Sequence, residues 1–66
     1  MTKQRAKEVV DQYVGRERES YRTEEDLDAF QDEGIEWIED DCHENRELAD
    51  AVEICGGPLK VYYRIL

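Results

Sequence analysis

Apolar positions in the first fourteen residues recur with a helical period. Ala6, Val9, Val10, Tyr13 and Val14 fall at i, i+3, i+4, i+7 and i+8, which is one face of a 3.6-residue repeat. The spacing predicts a helix over residues 3–14. Thr2 can cap its start, and Gly15 suits the position just past its end. The following stretch, Arg16 to Arg22, alternates in charge and shows no clear apolar face. It reads as a connector.

Thr23-Glu24-Glu25-Asp26 is a strong helix start. The threonine can accept from a free backbone N–H, and the acids suit the positive end of the helix dipole. Stepping about 100° per residue from Leu27 separates two faces. Phe30, Gly34, Ile35, Trp37, Ile38 and Cys42 share one arc with Leu27. Asp28, Asp32, Glu33, Glu36, Glu39, Asp40 and Glu44 share the other, and Asp41 is the main exception, falling on the apolar side. The separation persists through Gly34. One helix over about 24–43 is therefore expected in preference to a break at the glycine, which costs roughly 1 kcal/mol relative to alanine.

Residues 43–46 are polar and read as a turn. Beyond them two patterns compete. Leu48, Ala51, Val52 and Cys55 fit a short helix, whereas Val52 and Ile54 around Glu53 fit a strand. In the tail, Leu59, Val61, Tyr63 and Ile65 alternate in a β-branched and aromatic context, which favours a strand. A strand must find partners for its backbone. Residues 51–55, joined to the tail through Gly56-Gly57-Pro58, are the nearest candidate. The expected fold is α+β: two helices packed on a small C-terminal antiparallel β-hairpin, in one small acidic domain spanning residues 1–66.

Charge changes the picture more than composition does. The chain has 66 residues, 39% of them hydrophobic and 41% charged, with a net charge of −9. Thirteen acids and one base, Arg46, lie between Thr23 and Asp50. That block carries −12, while residues 1–22 carry +2 and residues 51–66 carry +1. A uniform acidic surface would keep a protein soluble. A concentrated block makes a directed field, which suits a basic partner and repels phosphates.

Asp28, Asp32, Glu36 and Asp40 stand about 6 Å apart along a helix axis. This is of the order of the spacing between successive phosphates of a nucleic-acid strand, so a row of carboxylates can stand in for phosphates before a basic groove. The plainer reading is a solvated helix face. Against it, like charges at i, i+4 destabilise a helix by roughly 0.2–0.5 kcal/mol per pair, and no lysine relieves them between Lys7 and Lys60.

Other chemistry finds little purchase. A calcium loop starting at Asp26 places Phe30 and Gln31 where a ligand and a glycine are needed. Cys42, His43 and Cys55 lack the ligand spacing of a zinc finger or ribbon. Cys42 reads as a small core residue and His43 as a surface residue. One serine, Ser20, and one histidine, with no glycine-rich elbow, give no nucleophilic site. Solvated carboxylates lack the raised pKa that acid–base catalysis requires. No enzyme, cofactor or metal site is expected. No apolar run approaches the roughly 20 residues of a membrane span, and the N-terminus leads into an amphipathic segment, not a signal peptide. A cytoplasmic location with reduced thiols follows as the expectation. Of the aromatic residues, Trp37 borders the acidic face and reads as core or as an interface anchor.

A small, non-enzymatic chain with a condensed acidic face resembles the DNA-mimicking inhibitors of phages and mobile elements. In size and charge placement it is most similar to small anti-CRISPR proteins that block type I surveillance complexes, in particular the type I-C group. The resemblance covers the whole chain and rests on size and charge placement. These families share no signature motif, so no residue is carried over. It implies occupation of the basic channel on the large subunit, where target duplex enters. The residues assigned to the contact, from the helical projection, are Asp28, Asp32, Glu33, Glu36, Glu39, Asp40 and Glu44. Two other classes stay open. One is a haloarchaeal domain, acidic because it works in high salt. The other is an antitoxin-like regulator that adds its C-terminal strand to a partner's sheet.

Overall fold

The computed structural model describes residues 1–66 and contains four helices and no strand. They are α1 (Lys3–Ser20), α2 (Glu24–Glu44), α3 (Arg46–Ile54) and α4 (Pro58–Ile65). The fold is all-α, which corrects the expected α+β architecture. The supposed hairpin is instead the helix pair α3 and α4.

Three side-chain caps set the helix starts. Thr2 accepts from the Arg5 N–H at 3.1 Å, Thr23 from the Asp26 N–H at 3.1 Å, and Asn45 from the Leu48 N–H at 3.2 Å. Asn45 also ends α2, so a single residue separates the two helices. Each cap satisfies one of the orphan N–H groups of a first turn.

The Gly-Gly-Pro segment is a helix stop followed by a helix start. Gly57 N–H donates to the Val52 carbonyl at 2.8 Å, and Gly56 N–H to the Glu53 carbonyl at 3.2 Å. This bond pair is a Schellman cap on α3, and Gly56 takes the left-handed conformation it requires, with φ +110°. Pro58 then occupies the first turn of α4, where its missing N–H costs nothing. The alternation of Leu59, Val61, Tyr63 and Ile65 is also compatible with a helix, since Val61/Ile65 and Leu59/Tyr63 are i, i+4 pairs. A helix satisfies its backbone locally, whereas an isolated hairpin is marginal in water.

Helix α1 runs past Gly15 to Ser20, so Gly15 is not a C-cap and most of the expected connector is helical. Arg and Glu are good helix formers. Tyr21 ends the helix, its N–H donating to the Glu17 carbonyl and its hydroxyl to the Glu17 carboxylate at 2.8 Å.

Contacts Tyr21–Phe30, Tyr13–Asp41 and Arg5–Glu47 run in opposite directions along the two halves of the chain. Helix α1 is therefore antiparallel to α2, while α3 turns back along α1, with Glu47 beside Arg5 and Cys55 beside Val10. The α1 and α2 backbones hardly approach one another; α3 and α4 each pack on both. The core takes residues from all four helices: Ala6, Val10, Tyr13 and Val14; Phe30 and Ile38; Leu48, Ala51 and Val52; Val61 and Ile65. At one end Phe30 is sandwiched between Tyr21 and Tyr62, with ring centroids at 4.8 and 5.1 Å. Trp37 joins this cluster 5.9 Å from Tyr21, half-buried against the core. No helix is long and apolar enough to cross a membrane.

Candidate functional site: the acidic face of α2

Helix α2 carries eleven Asp or Glu and no Lys or Arg over its 21 residues. Its inward face is Phe30, Gly34 and Ile38, all buried, flanked by half-buried Leu27, Ile35, Trp37 and Cys42. This places the helix rotationally. Packing of that stripe against α3 and α4 turns the opposite side to solvent.

All seven residues assigned from the sequence, Asp28, Asp32, Glu33, Glu36, Glu39, Asp40 and Glu44, are exposed on the one continuous helix. Gly34 does not interrupt it. It admits Phe30 instead: a Cβ at Gly34 would lie 2.6–2.9 Å from the Phe30 ring. None of the seven takes part in an ion pair or a side-chain hydrogen bond. The three ion pairs of the chain join Arg5 to Glu8, Arg5 to Glu47 and Arg64 to Asp11. The five residues involved lie on α1, α3 and α4, so no ion pair reaches α2.

The projection left out Glu24, Glu25 and Asp26, which are also exposed and extend the acidic surface through the first turn. The same angular step, carried back from Leu27, places Glu25 and Asp26 on that face. The structure sets Asp41 apart. It is the one half-buried acid of α2, and it accepts a 2.6 Å hydrogen bond from the Tyr13 hydroxyl. Its position on the apolar arc thus marks an inter-helix contact and not the outer face.

Near the C-terminus of α2, a depression of about 480 Å³ is lined by Glu39, Asp40, Cys42, His43, Ala49 and Pro58. Burial pushes the Cys42 thiol up, and the charges of Asp41 and Glu39 add to the shift. The thiol therefore stays protonated at neutral pH and is a poor nucleophile. Both cysteines are free, and His43 is exposed. No group of three or more His, Cys, Asp or Glu side chains comes together in a geometry that would hold a metal ion. The arrangement can do electrostatic work: it presents closely spaced, uncompensated carboxylates on a rigid rod.

No family model, curated protein or solved structure matches the chain.

Proposed function

We propose that the chain is a non-enzymatic binding protein whose α2 face enters a basic nucleic-acid-binding groove in place of DNA. The observation that carries this reading is the complete absence of ion-pair partners along the seven exposed carboxylates. Four i, i+4 repulsions, from Asp28/Asp32 to Asp40/Glu44, cost about 1–2 kcal/mol together at the scale of helical peptides. A domain of this size has roughly 3–10 kcal/mol of total stability. That loss is large for a face that only needs to be wet, and interspersed lysines would remove it.

Charge density supports the same reading. Twenty-one residues at a rise of about 1.5 Å make a rod of about 31 Å, and its ten exposed carboxylates give about one charge per 3 Å. One strand of duplex DNA carries a phosphate per about 3.4 Å of axis. The helix therefore matches one strand and not the whole duplex. The molecule is 36 Å in its longest dimension, so the acidic rod spans most of its length.

The partner proposed from the resemblance to anti-CRISPR proteins is the large subunit of a type I surveillance complex, with direct nucleic-acid or membrane binding playing no part. The strand-addition alternative loses its strand, because residues 58–65 are helical. The test is a gel-shift assay with a type I-C surveillance complex, its target duplex and increasing amounts of this chain. Duplex binding should be lost, and the competition should weaken steeply as salt shortens the Debye length from about 10 Å at 0.1 M to about 3 Å at 1 M. Duplex binding that persists at saturating inhibitor overturns the mimic reading.

A further inference from the structure

Helix α4 is apolar on two opposite sides. Val61 and Ile65 face the core and are 1% and 3% exposed. Leu59, Tyr63 and Leu66 lie within an arc of about 60° on the far side, with 55%, 65% and 45% of their surface in water. The polar residues, Lys60 and Arg64, sit between the two stripes. A helix that is apolar nearly all round belongs in a covered position.

We propose that this outer stripe is where a second copy of the chain docks, in a weak two-fold dimer. Charge selects the occupant. The chain carries −9, and α1, α2 and α3 each bear several Asp or Glu. Helix α4 bears none, and of its two bases Arg64 is paired with Asp11 of its own chain at 2.7 Å, so Lys60 is its one unpaired charge and two copies meet there away from their acidic faces. The stripe is also self-complementary. In an antiparallel pair of α4 helices, Leu59 meets Leu66 of the second copy, and Tyr63 meets its own counterpart. Such symmetry is what an isologous contact needs. Beside Tyr63, a mainly apolar depression of about 300 Å³, lined by Val10, Cys55 and Val61 together with Lys60 and Arg64, has room for an apolar side chain from the second copy.

The area sets the strength. Two such stripes cover on the order of 600–800 Å² in total, below the roughly 1,200 Å² of a standard stable interface. The dimer is therefore concentration-dependent, and it leaves the acidic α2 faces free. Its salt response is opposite to that of the proposed acidic contact: screening removes self-repulsion between like-charged copies, so salt strengthens it. The two readings can therefore fail separately.

Sedimentation velocity of the full chain in reducing buffer, from about 10 µM to about 1 mM, tests the proposal, since contacts of this size are weak. The expected result is a monomer–dimer equilibrium that shifts toward dimer between 50 mM and 500 mM salt, because the Debye length shortens from more than 10 Å to less than 8 Å. Leu59→Glu and Tyr63→Glu, made separately, should each weaken it at least about tenfold, since each buries an unpaired charge at the contact. Circular dichroism melts identify which variant retains the fold, and that variant decides. A chain that is monomeric at the highest concentration in both salts overturns the proposal. So does a dimer that survives the substitution in a folded variant.

Discussion

The Tyr13 hydroxyl donates a 2.6 Å hydrogen bond to Asp41 Oδ2, joining the middle of α1 to the C-terminal half of α2. Tyr13 is buried in the core and Asp41 is half-buried. The α1 and α2 backbones make little direct contact, so this bond is one of the few direct side-chain links between the acidic rod and α1. Tyr13→Phe keeps the ring and removes the donor. A hydrogen bond to a charged group contributes about 1.5–3 kcal/mol, and a loss in that range is expected from urea unfolding of the variant.

The same contact shapes the alkaline limit of the fold. Burial, then the hydrogen bond to Asp41, pushes the Tyr13 hydroxyl well above the ordinary tyrosine range; burial and Glu17 do the same for Tyr21. Above about pH 10 the unfolded chain loses these protons while the native chain keeps them. This contribution to stability is therefore full below pH 10 and is lost above it, by up to about 1.4 kcal/mol per pH unit for the buried Tyr13 and by less for the part-exposed Tyr21, where solvent screens the shift. Urea midpoints measured from pH 9 to 11.5 should show the decline. Tyr13→Phe should show a shallower one.

Two helical glycines should respond to alanine with opposite signs. A Cβ at Gly15 meets nothing within 4 Å, and its backbone is helical. Gly15→Ala should stabilise by about 0.5–1 kcal/mol. At Gly34 the new methyl would overlap the buried Phe30 ring, itself held between Tyr21 and Tyr62. Gly34→Ala should destabilise by about 1–3 kcal/mol, as overpacking of a core does. Melting curves of the two variants distinguish this from an exposed, unconstrained Gly34.

Neutralising Asp32, Glu36 and Asp40 as Asn, Gln and Asn separates function from stability on α2. The substitutions remove the four like-charge i, i+4 pairs between Asp28 and Glu44, so the melting temperature should rise, by the equivalent of about 1 kcal/mol. Binding to the basic partner should weaken strongly, since each charge-assisted contact typically contributes about 1.5–3 kcal/mol. Stability and activity then move in opposite directions, as expected for a surface that sacrifices one for the other. A triple variant that is less stable yet competes with DNA as well as before would place the contact elsewhere.

The acidic face was legible because it rests on a single local rule. Once residues 24–44 form one helix, a fixed angular step decides which side chains share a side, and the apolar arc decides which side faces inward. The C-terminal third was not legible in the same way. Leu59-Lys60-Val61-Tyr62-Tyr63-Arg64-Ile65 satisfies a period of two and a helical i, i+4 pattern at once, and a run this short cannot choose between them. A signal for the end of α3, though not for the state of residues 58–65, was present in Gly56-Gly57-Pro58: glycine just past a helix end with proline soon after is a helix-stop signature. Read as a hairpin turn, it misdirected both flanking segments. At Gly15 the same glycine signal pointed the wrong way. There the helix continued through Arg16–Ser20, and Tyr21 packed onto Phe30.

By itself, then, the sequence determined what short-range physics can determine: the caps at Thr2 and Thr23, the inward stripe of α2, and the concentration of negative charge on its other side. Only the tertiary structure decided that residues 58–65 are a helix, because α4 lies across both long helices, with Tyr62 bonded to the Gln31 carbonyl and Arg64 to Asp11. It alone assigned Asp41 to Tyr13, 28 positions away. It alone showed that every ion pair leaves α2 untouched. Those are relations between distant residues, and no period along the chain encodes them.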